Sequence, residues 1–564
     1  MRSFTRIAAI AATATLAVTL AACGGGGNAG GAGVPPVEGG ATSSYNPQPR
    51  DNIKDGGTFT EALLEISSQW NVFQGDTTLY SRIVARMYWP ELISFAQDGG
   101  VQYNRDYLVS DPKEETVDGN TRITYTINPK AFYNDGAPID WHAFEATWKT
   151  NNGTDKAYSV NSSDGYDRIA SVTRGVDDRQ AVVTFKGKWV WWPGLFNFVL
   201  NPKATDPKVF NEGYLNEPHA EWGAGPYTIQ KFDKQNSTIV FERNPKWWGN
   251  PGKLDTHTIL GMDTPAAVNA FRNGQLDAVF TPNAEQVNQL KDFAGAEKRT
   301  APRASSYLLQ FNAKSPAIAE PAVRKALMEG VDRTQISKVV FQGLDYTENP
   351  PGSLSLLPRQ EGYQDNFPKV ITFDVEKAKA DLDAAGYPAG PDGMRAKDGK
   401  PLAFDFVYAG ETATKKAVGA AFVAMMKNIG VTANVRALPA SEFSSIIANR
   451  SFDVFFNGFA NSDPYGVAYF CQLWCSDSSL NLSASGNPEL DAKVKAVGAL
   501  PTQQEQIAKA NEVELETFAT YGLMPMYNGV DIAFVKKGLA NYGPDSGGGA
   551  TYYNPRPEDV GWQK

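Results

Sequence analysis

Residues 221–280 read EWGAGPYTIQKFDKQNSTIVFERNPKWWGNPGKLDTHTILGMDTPAAVNAFRNGQLDAVF, and each part of the stretch has a structural task. Gly223, Gly225 and Pro226 suit a turn, two through backbone freedom and one through a fixed φ. Tyr227 to Phe232 and Ser237 to Glu242 alternate apolar and polar side chains, which predicts a β-hairpin. Asn244-Pro245 stops the second strand, and Trp247-Trp248-Gly249 follows as an aromatic loop. A short strand is expected around Thr258 to Leu260. Thr264-Pro265 then opens a helix with apolar positions at Ala267, Val268, Ala270, Phe271 and Leu276. Gly274 falls near its end, and Leu276 to Phe280 begins another strand.

Working outward, 564 residues are too many for one ordinary core, so two or more lobes are expected. The charged fraction of 20% and hydrophobic fraction of 42% describe a soluble globular chain. A net charge of −9 argues against nucleic acid as a partner, because little is left to neutralise phosphates. Aromatic residues make up 12%, enough for large cores and equally for an aromatic-lined sugar or peptide cleft.

The N-terminus looks like an export signal over residues 1–22: Arg2 and Arg6, then an uncharged run from Ile7 to Ala22, too short to span a bilayer. Leu20-Ala21-Ala22-Cys23 resembles a bacterial lipobox, which implies lipid modification of Cys23. Residues 23–54 are rich in Gly, Pro and Ser towards their start and lack periodicity, so a flexible tether is expected. Cys471 and Cys475 would meet an oxidising compartment in an exported protein and are expected to pair, with two free thiols as the alternative.

The order Gly223-Ala224-Gly225-Pro226-Tyr227, hairpin, Glu242-Arg243-Asn244-Pro245-Lys246-Trp247-Trp248-Gly249, helix, Gly274-Gln275-Leu276-Asp277 resembles the extracellular solute-binding proteins of family 5, the peptide- and nickel-type receptors of ABC importers. Asp55-Gly56-Gly57-Thr58 resembles the family's mature opening. Phe132 to Ile139 resembles its F-H-D-G-x-P-L, and Val323 to Ile336 its V-R-x-A-L-x-x-x-x-D-R-x-x-I. Helices are expected from Leu79 to Leu92, after Asp140, over Pro321 to Val340 and over Lys416 to Ile429. Strands are expected over Val176 to Phe185, Leu402 to Tyr408, Val431 to Ala437 and Asp453 to Phe456, while Leu523 to Tyr527 resembles a family turn. Strand and helix alternate as an α/β chain requires. The resemblance implies a two-lobed periplasmic-binding-protein-like fold of the type II, cluster C kind. Lobe I would comprise 55–99, 205–304 and 529–564, an extra subdomain 100–204, and lobe II 305–528. Hinges are expected near 303–307 and 527–531.

An enzyme needs a nucleophile with a base, or metal ligands. Around His142, His219 and His257 there is no HExxH, and no serine sits in GxSxG, so neither catalysis nor a metal or other cofactor is expected. His142 and His219 are given structural roles, and His257 a strand edge. The family's acidic anchor for a peptide amino group would fall at Ala460, so Asn461 or Asp463 is put forward as its replacement. The remaining ligand-binding candidates are Trp70, Tyr88, Trp89, Arg303, Ser305, Ser306, Tyr307, Asn457, Gly458 and Phe459, with Arg303 facing a ligand carboxylate. At least one of Trp191 and Trp192 is expected in the core. The function implied is capture of oligopeptides by a monomer and delivery to the transmembrane subunits of an ABC permease. It would act at the extracytoplasmic face of the cell membrane, held there only by its lipid. A sensor or regulator of cell-envelope assembly on the same fold, or a receptor for a sugar, glycolipid or metal chelate, is the alternative.

Overall fold

The glycines of the 221–280 stretch are explained by the helix they rest against. In the computed structural model, which describes residues 44–96, 98–439, 442–460, 463–544 and 556–564, that helix is Leu79–Tyr88. Pro90 lacks an N–H and holds Trp89 extended, at φ −81° and ψ 158°, so the helix stops at Tyr88 and does not run on to Leu92. The Tyr88 carbonyl then accepts the Ala224 N–H at 2.7 Å and the Gly225 N–H at 2.9 Å. A Cβ on Gly225 would lie 2.7 Å from the Met87 carbonyl oxygen, and one on Gly223 2.8 Å from the Tyr88 oxygen. Only glycine lets the turn seat this closely.

A seven-stranded sheet forms the first lobe, in the order 296–302, 530–536, 278–280, 58–63, 256–261, 238–243, 227–233. Thr58–Leu63 pairs in parallel with strands on both sides, and the hairpin Tyr227–Asp233/Thr238–Arg243 closes one edge. Helix Thr264–Arg272 starts at Asp263, whose carboxylate accepts the Ala266 N–H at 2.8 Å, and Gly274 follows it at φ +79°. His257 is not at an edge. Its strand is paired on both sides, and the buried ring lies 2.7 Å from Glu61 on the neighbouring strand.

A four-stranded antiparallel sheet, ordered 113–117, 120–126, 180–185, 169–174, packs against helix Trp141–Asn151. Asp140 caps that helix through the His142 N–H at 2.9 Å. The strand expected from Val176 starts at Gln180, because residues 175–179 form the turn that reverses the chain.

The second lobe holds a five-stranded sheet, ordered 432–438, 403–409, 454–460, 305–311, 523–527. Leu523–Tyr527 is a strand and not a turn, since Ser305–Phe311 pairs with it along its length. Residues 321–340 form two helices, Pro321–Glu329 and Arg333–Phe341. Gly330 ends the first, and Asp332 starts the second by accepting the Gln335 N–H at 3.0 Å. The buried carboxylate of Glu514, on helix Gln503–Phe518, accepts from the N–H groups of Leu354 and Ser355, two serine hydroxyls and Asn366. It thereby fixes residues 353–366 to the lobe. Cys471 and Cys475 are joined as a disulfide.

One segment departs from composition. Residues 44–53, grouped above with the tether, are docked on the first lobe: Ser44 N–H to the Thr300 carbonyl at 2.8 Å, Asn46 Nδ2 to the Leu539 carbonyl at 3.0 Å, Arg50 to Asp559 at 2.6 Å. Backbone and side-chain hydrogen bonds hold this segment, so hydrophobic periodicity gave no sign of it. The signal region and Cys23 lie outside the described residues, and no helix among those described is long and apolar enough to cross a membrane.

Gly225→Ala is expected to cost about 1–3 kcal/mol through overpacking against fixed backbone. Gly274→Ala, with open space around its Cβ, carries only the left-handed backbone penalty of about 1–2 kcal/mol. Urea unfolding of both variants measures the difference.

Candidate functional site

The second lobe faces the first lobe and residues 100–204 across a cleft bridged by side chains. Tyr465, on the loop after strand Val454–Ala460, places its ring 5.4 Å from Phe95 and 5.1 Å from Trp191. Trp191 Nε1 donates to Gln506 at 2.7 Å, Gln503 Nε2 to the Val190 carbonyl at 2.7 Å, and Gln472 Nε2 to Asp164 at 2.7 Å. Trp191 and Trp192 are both buried.

Beneath these bridges lies a cavity of about 410 Å³, with Arg82, Asn161, Asp164 and Tyr166 on one side and Phe459, Asp463 and Tyr469 on the other. Asp463 is buried, and its carboxylate accepts the Tyr465 N–H at 2.8 Å and the Tyr469 O–H at 2.7 Å. Burial pushes its pKa up, and those two bonds and the charge of Arg82 offset this only in part, so the net direction is upward. Arg82, half-buried on helix Leu79–Tyr88, has its pKa lowered by burial against the opposing fields of Tyr166, Asp463 and Tyr469. A guanidinium starts so high that it stays charged at neutral pH. The cavity therefore sets one cation against the carboxylates of Asp463 and Asp164.

A second cavity of about 380 Å³ lies at the root of the cleft, lined by Arg303, Ser305, Tyr307, Lys415, Asn457, Gly458 and Phe459. Phe459 belongs to both walls. Asn457 is buried, its Oδ1 accepts from Gln310 at 2.7 Å, and its Nδ2 has no hydrogen-bond partner among the described residues. Lys415 donates to the Ala409 carbonyl, and burial lowers its pKa. Tyr307 stacks on Tyr527 with ring centroids 4.6 Å apart. A Cβ on Gly458 would come within 3.0 Å of the Tyr307 ring, so the missing side chain leaves that ring its place.

The structure thus brings Arg303, Ser305, Tyr307, Asn457, Gly458 and Phe459 to one cavity, and Asp463 with Phe459 to the other. Ser306 is buried beside them, its hydroxyl accepting from Asn528 Nδ2 at 3.2 Å. Arg303, expected to face a ligand carboxylate, is already paired with Asp531 at 2.8 Å. Burial works to lower its pKa and is outweighed by Asp531 together with Tyr307 and Tyr527, so the net direction is upward. Trp70, Tyr88 and Trp89 are in the first-lobe core, 3%, 0% and 4% exposed, and do not line either cavity. Trp70 packs on Tyr88 and Phe232, Trp89 on Phe198 and Tyr214, and the Tyr88 hydroxyl donates to the Pro218 carbonyl at 2.8 Å. The same helix that buries Tyr88 turns Arg82 to the cavity. Asn461 lies outside the described residues.

Sequence reasoning missed Arg82, Asp164, Tyr469 and Gln472. Arg82 alone carried a local signal, a cation within LYSRIVARMY next to the buried Ser81 and Ile83. His219 is away from both cavities, paired with Glu221 at 2.7 Å and stacked on Trp222, and His142 is an exposed helix-end side chain beside Asp140.

Residues 108–481 match the family model for bacterial extracellular solute-binding proteins, family 5. The chain belongs to this family. The oligopeptide-binding protein OppA of Mycobacterium tuberculosis strain H37Rv is 32% identical over 513 residues, covering 89% of this chain and 85% of that one. Among solved structures, the periplasmic EDTA-binding protein EppA superposes with a TM-score of 0.82 at 24% identity, covering 93% of this chain and 98% of its own. The Bacillus subtilis oligopeptide-binding protein AppA, solved with a nonapeptide, gives a TM-score of 0.66 at 18% identity, covering 91% and 100%. These likenesses confirm the two-lobed α/β architecture of a family 5 binding protein.

The two groups of aromatic residues separate by stability. Trp89→Ala is expected to cost about 3–5 kcal/mol, as for a fully buried ring, and Phe459→Ala, whose ring is only half-buried, about 1–2 kcal/mol. Chemical denaturation of the two variants checks the assignment.

Proposed function

We propose that this protein is the substrate-binding lipoprotein of an ABC importer and that it holds oligopeptides between its lobes. The observation that carries this reading is the cross-lobe cavity in which Arg82 opposes Asp463 and Asp164. A peptide carries both a carboxylate and an ammonium group along one polar backbone, and such a cavity offers each a partner of opposite sign. Phe459 and the aromatic rings at the root of the cleft supply apolar wall, and backbone hydrogen bonding would let many side-chain sequences share the site. The 32% identity to a protein named for oligopeptide binding supports the same assignment. Closure on the two crossing segments would trap the ligand and present it to the permease.

The test is thermal-shift and calorimetric titration with a pool of short peptides. Arg82→Ala and Asp463→Asn should each weaken binding about 10–100-fold, the loss of one charge-assisted hydrogen-bonding partner, while far-ultraviolet circular dichroism stays unchanged. Unchanged affinity in both variants would remove this cavity from the site. For anchoring, Cys23→Ser is expected to move the protein from the membrane fraction to the soluble one, and continued membrane association would contradict a lipid anchor at that residue.

A further inference from the structure

The chain passes between the two main sheets twice, side by side. Pairing in the first sheet ends at Pro302 and Val530, and pairing in the second begins at Ser305 and Tyr527. The two passages are braced against each other: Arg303 N–H donates to the Gly529 carbonyl at 3.0 Å, Asn528 Nδ2 to the Ser305 carbonyl at 2.7 Å, and Arg303 pairs with Asp531. A third element reaches in from the second lobe. Glu348 lies on the segment after helix Arg333–Phe341, a segment that Glu514 fixes to the lobe a few residues later. One Glu348 oxygen accepts the Asn528 N–H at 2.5 Å, and the other accepts the Gly529 N–H at 3.0 Å and the Tyr346 hydroxyl at 2.5 Å.

We propose that Glu348 is the positioning residue of the hinge: its carboxylate locks the peptide planes of Asn528 and Gly529 to the second lobe, so that lobe motion is confined to Gly529–Asp531 and Pro302–Ala304. The proposal rests on the family reading only in taking the lobes to move, and it needs no ligand. Two consecutive N–H groups held by one carboxylate cannot tilt independently, whereas Gly529, at φ +99°, has the backbone freedom to act as the joint just beyond them. The groups acting on Glu348 are Tyr346 on its own segment and Arg303 on one passage; Arg359 acts on Tyr346, and Tyr527 on the other passage feels Glu348 together with Tyr307 and Arg303. Burial raises the Glu348 pKa, while Tyr346, the two N–H groups and Arg303 work to lower it. The sign for the clamp follows: the carboxylate with its two charge-assisted bonds is present above that raised pKa, and as pH falls through it one oxygen becomes a hydroxyl and the pair of bonds weakens. The sign for stability is opposite, because a buried carboxyl with a raised pKa costs the fold less once protonated.

The experiment uses the full chain with Cys23→Ser and one fluorophore on each lobe, through Lys234→Cys in a turn and Lys400→Cys at the start of a two-residue strand, both exposed. Single-molecule energy transfer reads the interlobe distance, and hydrogen exchange reads the amides of residues 528–529. Glu348→Gln places an amide N–H₂ against one of the backbone donors. It should speed exchange at those two amides at least about tenfold and broaden the interlobe distribution. Tyr346→Phe, a gentler change, should do both to a smaller degree. In the unsubstituted protein, lowering the pH through the raised Glu348 pKa should broaden the distribution, and Glu348→Gln should show no further broadening. Faster exchange with an unchanged interlobe distribution would overturn the positioning role, and unchanged exchange would overturn the clamp itself.

Discussion

Everything in this molecule depends on a chain that, among the described residues, crosses between its two main sheets only twice, through residues 303–304 and 528–529. Strands on one side of those residues build a seven-stranded sheet, and strands on the other side a five-stranded one. Because the crossings are antiparallel neighbours, they tie the lobes at one line and leave the far side of the cleft to be joined by side chains alone. Those side-chain bridges are the packing of Tyr465 on Phe95 and Trp191 and three polar contacts: glutamine to aspartate, tryptophan to glutamine, glutamine to a carbonyl. The polar contacts are worth about 0.5–1.5 kcal/mol each.

The cleft chemistry follows from what each lobe brings to that line. The first lobe supplies Arg82 from a helix whose other face is core, and the second supplies Asp463 from the loop directly after a central strand. Neither charge is left bare, since Asp463 is hydrogen-bonded to Tyr465 and Tyr469 and feels Arg82. The arrangement is polarised and partly satisfied at once. A ligand with two opposite charges can enter it by exchanging partners, without uncovering an isolated buried ion.

Much of the fold was legible because its determinants are local. The 223–227 turn, the hairpin after it and the Asp140-capped helix are each specified within about ten residues of sequence. Errors arose where one residue overrode periodicity: Pro90 stopping a helix, Gly330 splitting another, Asp177-Asp178 delaying a strand. The crossing residues and the 457–459 strand were found through their place in the pattern. Trp70, Tyr88 and Trp89 were not separable from cleft aromatics, because a core and a cleft use the same side chains. Asp164 and Gln472 lie 308 positions apart, and no local pattern connects them. Glu348 was equally silent, since the groups it holds are backbone N–H donors that every sequence possesses.

The central claim is that the cleft holds oligopeptides, and native mass spectrometry of the purified protein, followed by denaturation and identification of what is released, tests it most directly. A ladder of short peptides of mixed sequence is the result this account predicts. A single sugar, glycolipid or metal chelate would contradict the peptide assignment while leaving a receptor. Release of nothing, with no thermal response to peptide pools, would contradict the receptor role and favour a regulatory protein of the cell envelope.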